Sequence, residues 1–455
     1  MVARSNILHL DVLGSSIIVL NSLKAAEDLL EGRSELYSSR PPLRFLNEMM
    51  NLHWLLVVYP YGHKWRLAQK IFNRGVRPSA AQGFRPVQRN AVLNYLRRIR
   101  KDRQPEDVMS ELRHSIGSTI LSIAYGIKIK PSNDPLIALS EASNISINSG
   151  AMLPISTLMD IIPSLKYIPG WIPGITFKSK AAKWRALSDD MFEIPYAAGK
   201  RAMQDGTATP SFISAALEED MDLTGLTPDA RETIVKMMAA TMYSGGVDAT
   251  LATQGTFLLK VLTHPDIQRK AHIELDSVLE RKRLPTFEDQ ASLPYITAIM
   301  REVQRMVPPA PLAFPHFIET DDIYEGYRIP AKSTVIMNTW AMLHDANTYP
   351  DPFRFNPDRF MKDGELNPEV LNPEHIIFGL GRRICPGRHI SLSTQFMTIA
   401  ATLSMYEIKV PIGKDGKEVK VTEAYQPGLV LLPESFSCQF VPRFEGAEDL
   451  LDMPI

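Results

Sequence analysis

Apolar residues recur three and four positions apart along most of the chain between Tyr61 and about Val410. This spacing gathers apolar side chains on one helix face, so it predicts that most of the chain is α-helical. The clearest helical segments are residues 92–99, 111–123, 182–194, 233–262 and 392–403. Short strand-like segments lie at 2–10 and 16–20 around Gly14, and at 323–329, 334–338, 408–410 and 436–441. We therefore expect a mainly α fold with small β-sheets.

Two helix starts are marked by local sequence. Ser22 is a candidate N-cap for a helix through residue 30. Thr227 followed by Pro228 opens a second, very long helix, because the next proline is Pro265. At about 1.5 Å per residue this helix would cross roughly 50 Å, the width of a domain of this size.

The middle of the long helix is small and apolar nearly all round, which predicts that it is central and buried. Gly245 and Gly246 lie there beside Asp248, and each glycine costs about 1 kcal/mol relative to alanine. Two explanations remain open. The glycines allow close packing of a neighbouring helix, or they leave room for a flat ligand and a water at a kink.

Residues 154–177 combine apolar side chains with four prolines, which predicts short apolar turns instead of one long helix. They form either a core-packed loop, or a lid or a surface that touches a membrane. Tyr167 and Trp171 would suit the boundary between an apolar phase and water.

The composition excludes several classes of protein. With 45% hydrophobic and 22% charged residues, the 455-residue chain is neither disordered nor collagen-like. Its net charge of -1 gives no global attraction to nucleic acid or anionic membranes, and two cysteines cannot form a disulfide framework. No repeat or linker divides it, so we expect one domain over 1–455. The first residues lack the roughly 20 apolar residues in a row that span a bilayer.

The candidate chemistry centres on Cys385, between a glycine-rich loop and a helix expected to begin at Pro386. Near a helix N-terminus, unpaired N–H groups and the positive end of the dipole favour the thiolate. A buried thiolate also needs a counter-charge, which a metal ion supplies. No second cysteine is near enough in sequence for a zinc or iron–sulfur site. A single thiolate combined with the nitrogens of a haem fits.

Residues 378–388 closely resemble the haem-binding signature of the cytochrome P450 family, and the resemblance extends over essentially the whole chain. The matching positions are Phe378, Gly381, Arg383, Cys385 and Gly387. The resemblance implies the cytochrome P450 fold, with haem b between the long central helix and the helix after the cysteine. It also implies Cys385 as the axial metal ligand and O2 as co-substrate.

Two further segments resemble structural motifs of the family. Glu302 and Arg305 are three residues apart and can pair on one helix face, although such a pair is more often a solvated surface couple. Arg359 lies in a segment that resembles the family's Pro-x-Arg-Phe motif, whose arginine binds the Glu–Arg pair. The resemblance therefore implies a role for all three in folding and in supporting the haem pocket.

The central helix resembles the family's oxygen-binding motif, in which an acid and the threonine after it relay protons. Asp248 matches the acid, whereas Ala249 stands at the threonine position and a hydroxyl first appears at Thr250. One position turns a helical side chain by about 100°, so Thr250 cannot replace that threonine without rearrangement. We expect Asp248 and Thr250 as catalytic candidates, and a water or a substrate hydroxyl as an alternative proton carrier.

The haem propionates need hydrogen-bond donors. Trp65 matches the tryptophan of the family's helix C motif, but Gln69 stands where the motif has arginine. Arg383 and His316 are the remaining candidates, although a lone histidine is usually structural.

The resemblance also indicates substrate contacts, and these are all apolar, so a lipophilic small molecule is expected. They are Met242, Gly245, Ala249, Ala310, Leu312, Ala313, Phe314 and Leu429. The sequence of the C-terminal half is similar to that of fungal microsomal members that hydroxylate or epoxidise terpenoids or other secondary metabolites. The membrane-spanning helix and proline-rich hinge with which such enzymes begin are missing. Either the chain is a truncated product, or residues 154–177 alone touch the membrane. Peripheral contact with the cytosolic face of the endoplasmic reticulum is the expectation.

The chain has no flavin or nicotinamide fingerprint, so electrons must come from another protein. NADPH–cytochrome P450 reductase is expected, with cytochrome b5 as an optional second donor. Six basic residues form either a solvated face or the docking surface for such an acidic partner: Lys64, Arg66, Lys70, Arg74, Arg382 and Arg388.

Three functions remain open at this point. The first is an oxygen-inserting monooxygenase. The second is a reductase-independent haem-thiolate enzyme that isomerises a peroxide or dehydrates its substrate, which Ala249 would favour. The third is a non-catalytic haem-binding relic. The sequence names neither the substrate nor the carbon that is attacked.

Overall fold

A computed structural model describes residues 5–173, 175–218, 227–413 and 416–453. The α-helices are α1 Leu23–Ala26, α2 Ser34–Tyr37, α3 His63–Val76, α4 Pro78–Gly83, α5 Arg85–Lys101, α6 Val108–Tyr125, α7 Pro135–Met152, α8 Pro154–Ile161, α9 Phe177–Gln204, α10 Phe212–Glu218, α11 Pro228–Thr263, α12 Pro265–Leu279, α13 Pro294–Met306, α14 Thr339–Leu343, α15 Glu374–Ile377 and α16 Arg388–Met405. The strands are β1 Ile7–Val12, β2 Ser15–Leu20, β3 His316–Phe317, β4 Asp322–Tyr324, β5 Tyr327–Ile329, β6 Thr334–Met337, β7 Met361–Lys362, β8 Glu365–Leu366, β9 Tyr406–Lys409, β10 Tyr425–Gln426, β11 Leu432–Pro433 and β12 Gln439–Pro442. The predicted mainly α fold with small β-sheets is confirmed.

The largest sheet has the strand order β1-β2-β6-β3. β1 and β2 pair antiparallel with Ile7 opposite Leu20, β6 runs parallel to β2, and β3 is antiparallel to β6. The predicted N-terminal hairpin is therefore confirmed, with its turn at Gly14, although its first strand is shifted towards the turn. Residues 2–4 of that predicted strand lie outside the described residues.

Both predicted helix starts are confirmed. The Ser22 hydroxyl accepts a hydrogen bond from the Ala25 N–H at 3.3 Å, and the Thr227 hydroxyl accepts one from Ala230 at the same distance. α1 passes into a π-helical segment, Glu27–Gly32, so the first predicted helix exists but changes its hydrogen-bond pattern. α11 spans 36 residues.

One predicted helix runs further than its periodicity indicates. The apolar repeat stops at residue 194 before Pro195, yet α9 continues through that proline to Gln204. Packing explains the continuation, since a Cβ added at Gly199 would lie 2.6 Å from the Ile213 side chain and 2.9 Å from the Tyr125 carbonyl oxygen. This close contact holds the C-terminal part of α9 in place against the local preference.

α11 is central, as predicted, and packs against α3, α6, α9, α13 and α16. Its residues contribute much of the main hydrophobic core, and a second core lies against the four-stranded sheet. This arrangement places the middle of α11 across the inside of the helical part of the molecule. The expectation of one domain over 1–455 stays a prediction.

Residues 154–177 form α8, a short 3-10 helix at Pro163–Tyr167 and turns, as their prolines predict. Trp171 is 82% exposed and Tyr167 is 74% exposed. For these two side chains the core-packed alternative is therefore wrong. Among the described residues, none of the helices has both the length and the hydropathy of a membrane span.

Candidate haem site

The loop before Cys385 is shaped by two glycines. Gly379 and Gly381 have φ values of +75° and +60°, in the left-handed region that favours glycine. A Cβ at Gly381 would also overlap the carbonyl oxygen of Leu30, so the loop can approach the N-terminal part only without a side chain there. The Cys385 N–H donates to the Phe378 carbonyl at 2.7 Å and closes the loop.

The helix after Cys385 begins at Arg388 with Gly387 as its N-cap, so the predicted start at Pro386 is wrong by two residues. The backbone N–H groups of Gly387 and Arg388 have no intrahelical partner at this helix end and donate to the Cys385 sulfur. Burial nevertheless raises the pKa of the Cys385 thiol, against these hydrogen bonds and the positive charge of Arg388. The helix end therefore favours the thiolate, as expected, but burial outweighs this effect. A bound cation is needed to hold the sulfur ionised.

The second cysteine, Cys438, is fully buried in the main core, and burial raises the pKa of its thiol strongly. Within the described ranges, no three His, Cys, Asp or Glu side chains come close enough to hold a metal ion. Within the described residues Cys385 therefore belongs to no multi-residue metal site, which is compatible with the haem that the family resemblance implies.

Arg383 lies behind the cysteine loop and donates to the carbonyl oxygens of Ser38 and Tyr59, both at 2.7 Å. Its guanidinium carbon is 4.4 Å from the centroid of the Trp65 ring. Trp65 is buried, and its indole Nε1–H donates to no partner in the described structure. An unpaired buried donor beside a half-buried cation is costly unless an anion binds there.

Sequence reasoning missed Arg40, which is buried beside Arg383. It donates to the carbonyl oxygens of Val57 at 2.9 Å, Phe314 at 2.8 Å and Pro315 at 2.7 Å. Burial and the Arg383 charge lower the pKa of Arg40, and within the described residues neither guanidinium forms an ion pair with a carboxylate. Nothing in the sequence around Arg40 indicates this burial, because its contacts come from three distant segments.

His316 lies near Arg40 and Arg383. Its Nδ1 is 2.7 Å from the Tyr37 carbonyl oxygen, and burial together with Arg40 and Arg383 lowers the pKa of the imidazole well below its usual value. His316 is therefore neutral and ties β3 to Tyr37, while its role towards a propionate stays a prediction. Gln69 bonds to Asn73 on the surface of α3 instead.

The two glycines of α11 have different surroundings. A Cβ added at Gly246 would lie 3.3 Å from the Ile120 side chain on α6, whereas one added at Gly245 would meet no atom within 4 Å. The packing explanation is therefore confirmed at Gly246, and the flat-ligand explanation stays a prediction at Gly245. Gly246 permits close packing of α6, and Gly245 leaves open space beside α11 that a flat ligand can use.

Asp248 is held by polar contacts from two helices. Arg113 on α6 donates to it at 3.3 Å, and the Asn144 side chain on α7 hydrogen-bonds to it as well. Burial raises the pKa of the Asp248 carboxyl, against the effect of Arg113. The acid is thus partly desolvated and can hold a proton closer to neutral pH than a surface aspartate.

The hydroxyl groups near Asp248 are poorly placed to relay a proton towards the proposed pocket. Ala249 is half-exposed on the same side of α11 as Gly245, while Thr250 is 4% exposed. Thr253 lies one turn after Ala249, but its hydroxyl donates to the Ala249 carbonyl at 2.9 Å. The catalytic role of Thr250 stays a prediction, because the structure turns this side chain into the interior.

The remaining predicted substrate contacts come together from two distant segments. The Leu431 N–H donates to the Pro309 carbonyl at 2.9 Å, which brings Leu429 close to the stretch that contains Ala310, Leu312, Ala313 and Phe314. Ala313 has φ +50° in a turn closed to Ala310, and Leu312 is 51% exposed. Met242 is buried on α11, three residues before Gly245.

Glu302 and Arg305 are fully buried, so the alternative of a solvated surface pair is wrong. Arg305 donates to both Glu302 oxygens at 2.7 and 2.8 Å, and Arg359 donates to them at 3.1 and 3.2 Å. The Asn356 N–H adds a bond of 2.8 Å to the same carboxylate. One buried carboxylate thus joins α13 to the Pro357–Phe360 turn.

The predicted basic surface is exposed along α3, where Lys64, Arg66 and Lys70 point to solvent. The Tyr61 ring lies between two of these cations, with the guanidinium carbons of Arg66 and Arg382 at 5.5 and 5.3 Å from its centroid. The geometry therefore links the α3 cations to the cysteine loop in one continuous face.

Comparison with known proteins identifies this architecture. The family model described as Cytochrome P450 matches residues 4–440. The chain is 40% identical to Cytochrome P450 monooxygenase 98 of Postia placenta, covering 98% of this chain and 85% of that protein.

Two further relatives have related names. Cytochrome P450 monooxygenase COX2 of Coprinopsis cinerea is 37% identical, with 95% of this chain and 82% of the relative covered. Tryptamine 4-monooxygenase of Psilocybe cyanescens is 36% identical, with 96% and 86% covered. The family binds haem b through a cysteine thiolate and uses O2 as co-substrate. The chain therefore belongs to the cytochrome P450 family and is an oxidoreductase of the monooxygenase type.

Proposed function

We propose that Cys385 is the axial ligand of the haem and that Arg40, Arg383 and Trp65 bind its propionates. One observation carries this assignment. The buried Arg40, the half-buried Arg383 and an unpaired indole N–H lie together behind the Cys385 loop, and the described residues offer the two guanidiniums no carboxylate. The two propionates of haem would supply the missing anions. The open space beside Gly245 would accommodate the edge of the macrocycle.

The proposed reaction is insertion of one oxygen atom from O2 into a lipophilic small molecule, by hydroxylation or epoxidation. When bound, the haem supplies the redox chemistry that activates O2. Met242, Gly245 and Ala249 share one face of α11 by their spacing, and Leu312 lies exposed in the segment paired with the C-terminal loop. These apolar groups exclude water and favour a terpenoid or another secondary metabolite of low polarity.

Asp248 is proposed to deliver protons. Its raised pKa allows the carboxyl to hold a proton near the pocket, and Arg113 fixes its position. Ala249 offers no hydroxyl between this acid and the pocket, so a water or a substrate hydroxyl would complete the path. Thr250 would take part only after rearrangement of α11.

Electrons are proposed to come from NADPH–cytochrome P450 reductase, with cytochrome b5 as an optional second donor. The basic face of Lys64, Arg66, Lys70 and Arg382 would attract an acidic partner to the side of the molecule that carries the cysteine loop. Electrostatic attraction of this kind raises association rates and weakens with salt.

Peripheral contact with the cytosolic face of the endoplasmic reticulum is proposed for residues 154–177. The exposed Trp171 and Tyr167 support this, since aromatic side chains favour the interface between lipid and water. Nearby Leu158 and Ile162 are also exposed and add apolar area to the same segment.

Ala249 favours a second candidate, a haem-thiolate enzyme that rearranges a hydroperoxide without reductase. A non-catalytic haem-binding protein is the third. Incubation of haem-loaded protein with reductase, NADPH, O2 and a panel of lipophilic compounds separates these functions. We expect an oxygenated product that requires NADPH. Turnover of a hydroperoxide without reductase would support the second candidate, and absence of any product in both assays the third.

A further inference from the structure

α7 carries two asparagines one turn apart that bond to different walls of the proposed pocket. Asn144 Nδ2 donates to the Ser244 carbonyl at 3.2 Å, and the Ser244 hydroxyl donates back to Asn144 Oδ1 at 2.9 Å. Ser244 immediately precedes Gly245, beside which α11 is open. Asn144 therefore fixes one end of this face of α7 at the pocket side of α11.

Asn148 fixes the other end. Its Oδ1 accepts a hydrogen bond from the Leu429 N–H at 2.6 Å. A Cβ at Gly428 would overlap the Asn148 amide, so only glycine lets the C-terminal loop come this close. That loop is in turn bonded to Pro309, at the start of the segment that carries Leu312. Asn148 thus joins α7 to the C-terminal loop, and that loop in turn bonds to the segment that carries Leu312.

The orientation of the Asn148 amide follows from its partner. The Leu429 N–H can bond only to an acceptor, so Oδ1 faces the loop and Nδ2 faces away from that bond. Nδ2 donates to no atom of the described chain, and it is not fully shielded from solvent. Residues four apart share a helix face. Nδ2 is therefore an accessible donor on the face of α7 that spans from α11 to the C-terminal loop.

We propose that Asn148 is a specificity-determining residue whose Nδ2–H donates a hydrogen bond to an oxygen or nitrogen acceptor on the substrate. The inference rests on the proposed function, because it assumes that the substrate occupies this pocket. It narrows the substrate class to lipophilic molecules that carry a carbonyl, ether, hydroxyl or basic nitrogen, and it disfavours plain hydrocarbons.

The test compares two probes that share a bicyclic skeleton, the ketone decalone and the hydrocarbon decalin. Haem-loaded protein is titrated with each probe, and the shift of the haem absorption band gives the dissociation constant. We expect decalone to bind about threefold to tenfold more tightly than decalin, as one neutral hydrogen bond provides. Equal affinities, or no spectral response to either probe, would overturn the proposal.

Two variants identify the donor. Asn148→Asp at about pH 8 keeps an acceptor for the Leu429 N–H but lacks the donor, since an aspartate is then ionised. Asn148→Leu removes both functions. We expect both variants to lose the preference for decalone while decalin affinity changes less than about twofold. The matched control Asn94→Asp, at an exposed position on α5, should keep the preference.

Retention of the preference in Asn148→Asp would overturn the proposal, as would a parallel loss for both probes in the two variants. Failure of the proposed function is distinguishable from these outcomes. It would show first, as absence of the thiolate band in the spectrum of the reduced protein with carbon monoxide. A protein that has this band but shows no probe discrimination refutes only the role of Asn148.

Discussion

At the scale of single residues, α11 shows how neighbouring positions with the same side chain serve different ends. Gly246 contacts Ile120 on α6, and Gly245 borders open space. Helix propensity alone penalises both equally, by about 1 kcal/mol relative to alanine. The tertiary surroundings decide what each glycine contributes: close packing at Gly246, and open space, which we propose a ligand uses, at Gly245.

Substitution of each glycine by leucine should separate the two roles. Gly246→Leu forces a side chain against Ile120 and should destabilise the fold by about 1–3 kcal/mol through overpacking. Gly245→Leu should leave the free energy of unfolding within about 1 kcal/mol but weaken haem loading and probe binding. Urea denaturation and the haem content of purified protein measure these effects. Equal destabilisation by both substitutions would contradict the assignment.

Ala249 provides a second test at this scale. Ala249→Thr adds a hydroxyl on the pocket side of α11, next to Asp248, and should lower the release of hydrogen peroxide per NADPH consumed. Thr250→Val serves as the comparison, because Thr250 is buried and should matter less. Unchanged peroxide release in Ala249→Thr would argue against a gap in the proton path, and a large increase in Thr250→Val would restore Thr250 as the donor.

At the scale of elements, the buried carboxylate of Glu302 joins α13 to the Pro357–Phe360 turn. Glu302→Gln should destabilise the protein by about 3–5 kcal/mol, because two buried guanidiniums lose their counter-charge. The matched control is Glu288→Gln, which removes an ion pair to Arg85 from a carboxylate that is 74% exposed and should cost about 1 kcal/mol or less. Urea denaturation midpoints compare the two. A Glu302→Gln variant as stable as Glu288→Gln would refute the structural role of the carboxylate.

The sequence predicted which helices exist more reliably than it predicted where they begin and end. The long helix and its Thr227 cap depend on local pattern and were predictable. The continuation of α9 through Pro195 and the start of α16 at Arg388 depend on contacts from distant segments, which local pattern does not contain.

The residues of the candidate site also divide into those that the sequence indicated and those that only the structure reveals. The resemblance to a known motif identified Cys385, whereas Arg40 and Asn148 acquire their significance only from partners 17 to 281 residues away in the chain. Such contacts between distant residues leave no periodic signal in the sequence.

At the scale of the whole molecule, buried histidines should make stability depend on pH. Burial lowers the pKa of His272 from 6.5 to about 4, with Arg443 adding to the effect and Glu407 and Asp276 opposing it. His344 has a pKa lowered to about 4, again mainly by burial. In the unfolded chain both imidazoles bind protons at higher pH than in the fold. Protons therefore favour unfolding as the pH falls from 6.5 towards 4.

Replacement of His272 should reduce this dependence. The contribution of His272 is fully present above pH 6.5 and is lost as the pH falls to about 4, by at most about 3 kcal/mol. His272→Gln should therefore show a shallower loss of stability with acid than the wild type, while the exposed His53→Gln should not. Denaturation midpoints measured across this pH range decide the matter. Identical slopes for His272→Gln and wild type would be inconsistent with a neutral buried imidazole.

The most direct test of the assignment is the absorption spectrum of the reduced, haem-loaded protein with carbon monoxide. We expect the wild type and Cys438→Ser to show the band of thiolate ligation, and Cys385→Ser to lose both the band and turnover. A wild-type spectrum of imidazole-type ligation, or a Cys385→Ser protein with the thiolate band and full activity, would contradict Cys385 as the iron ligand.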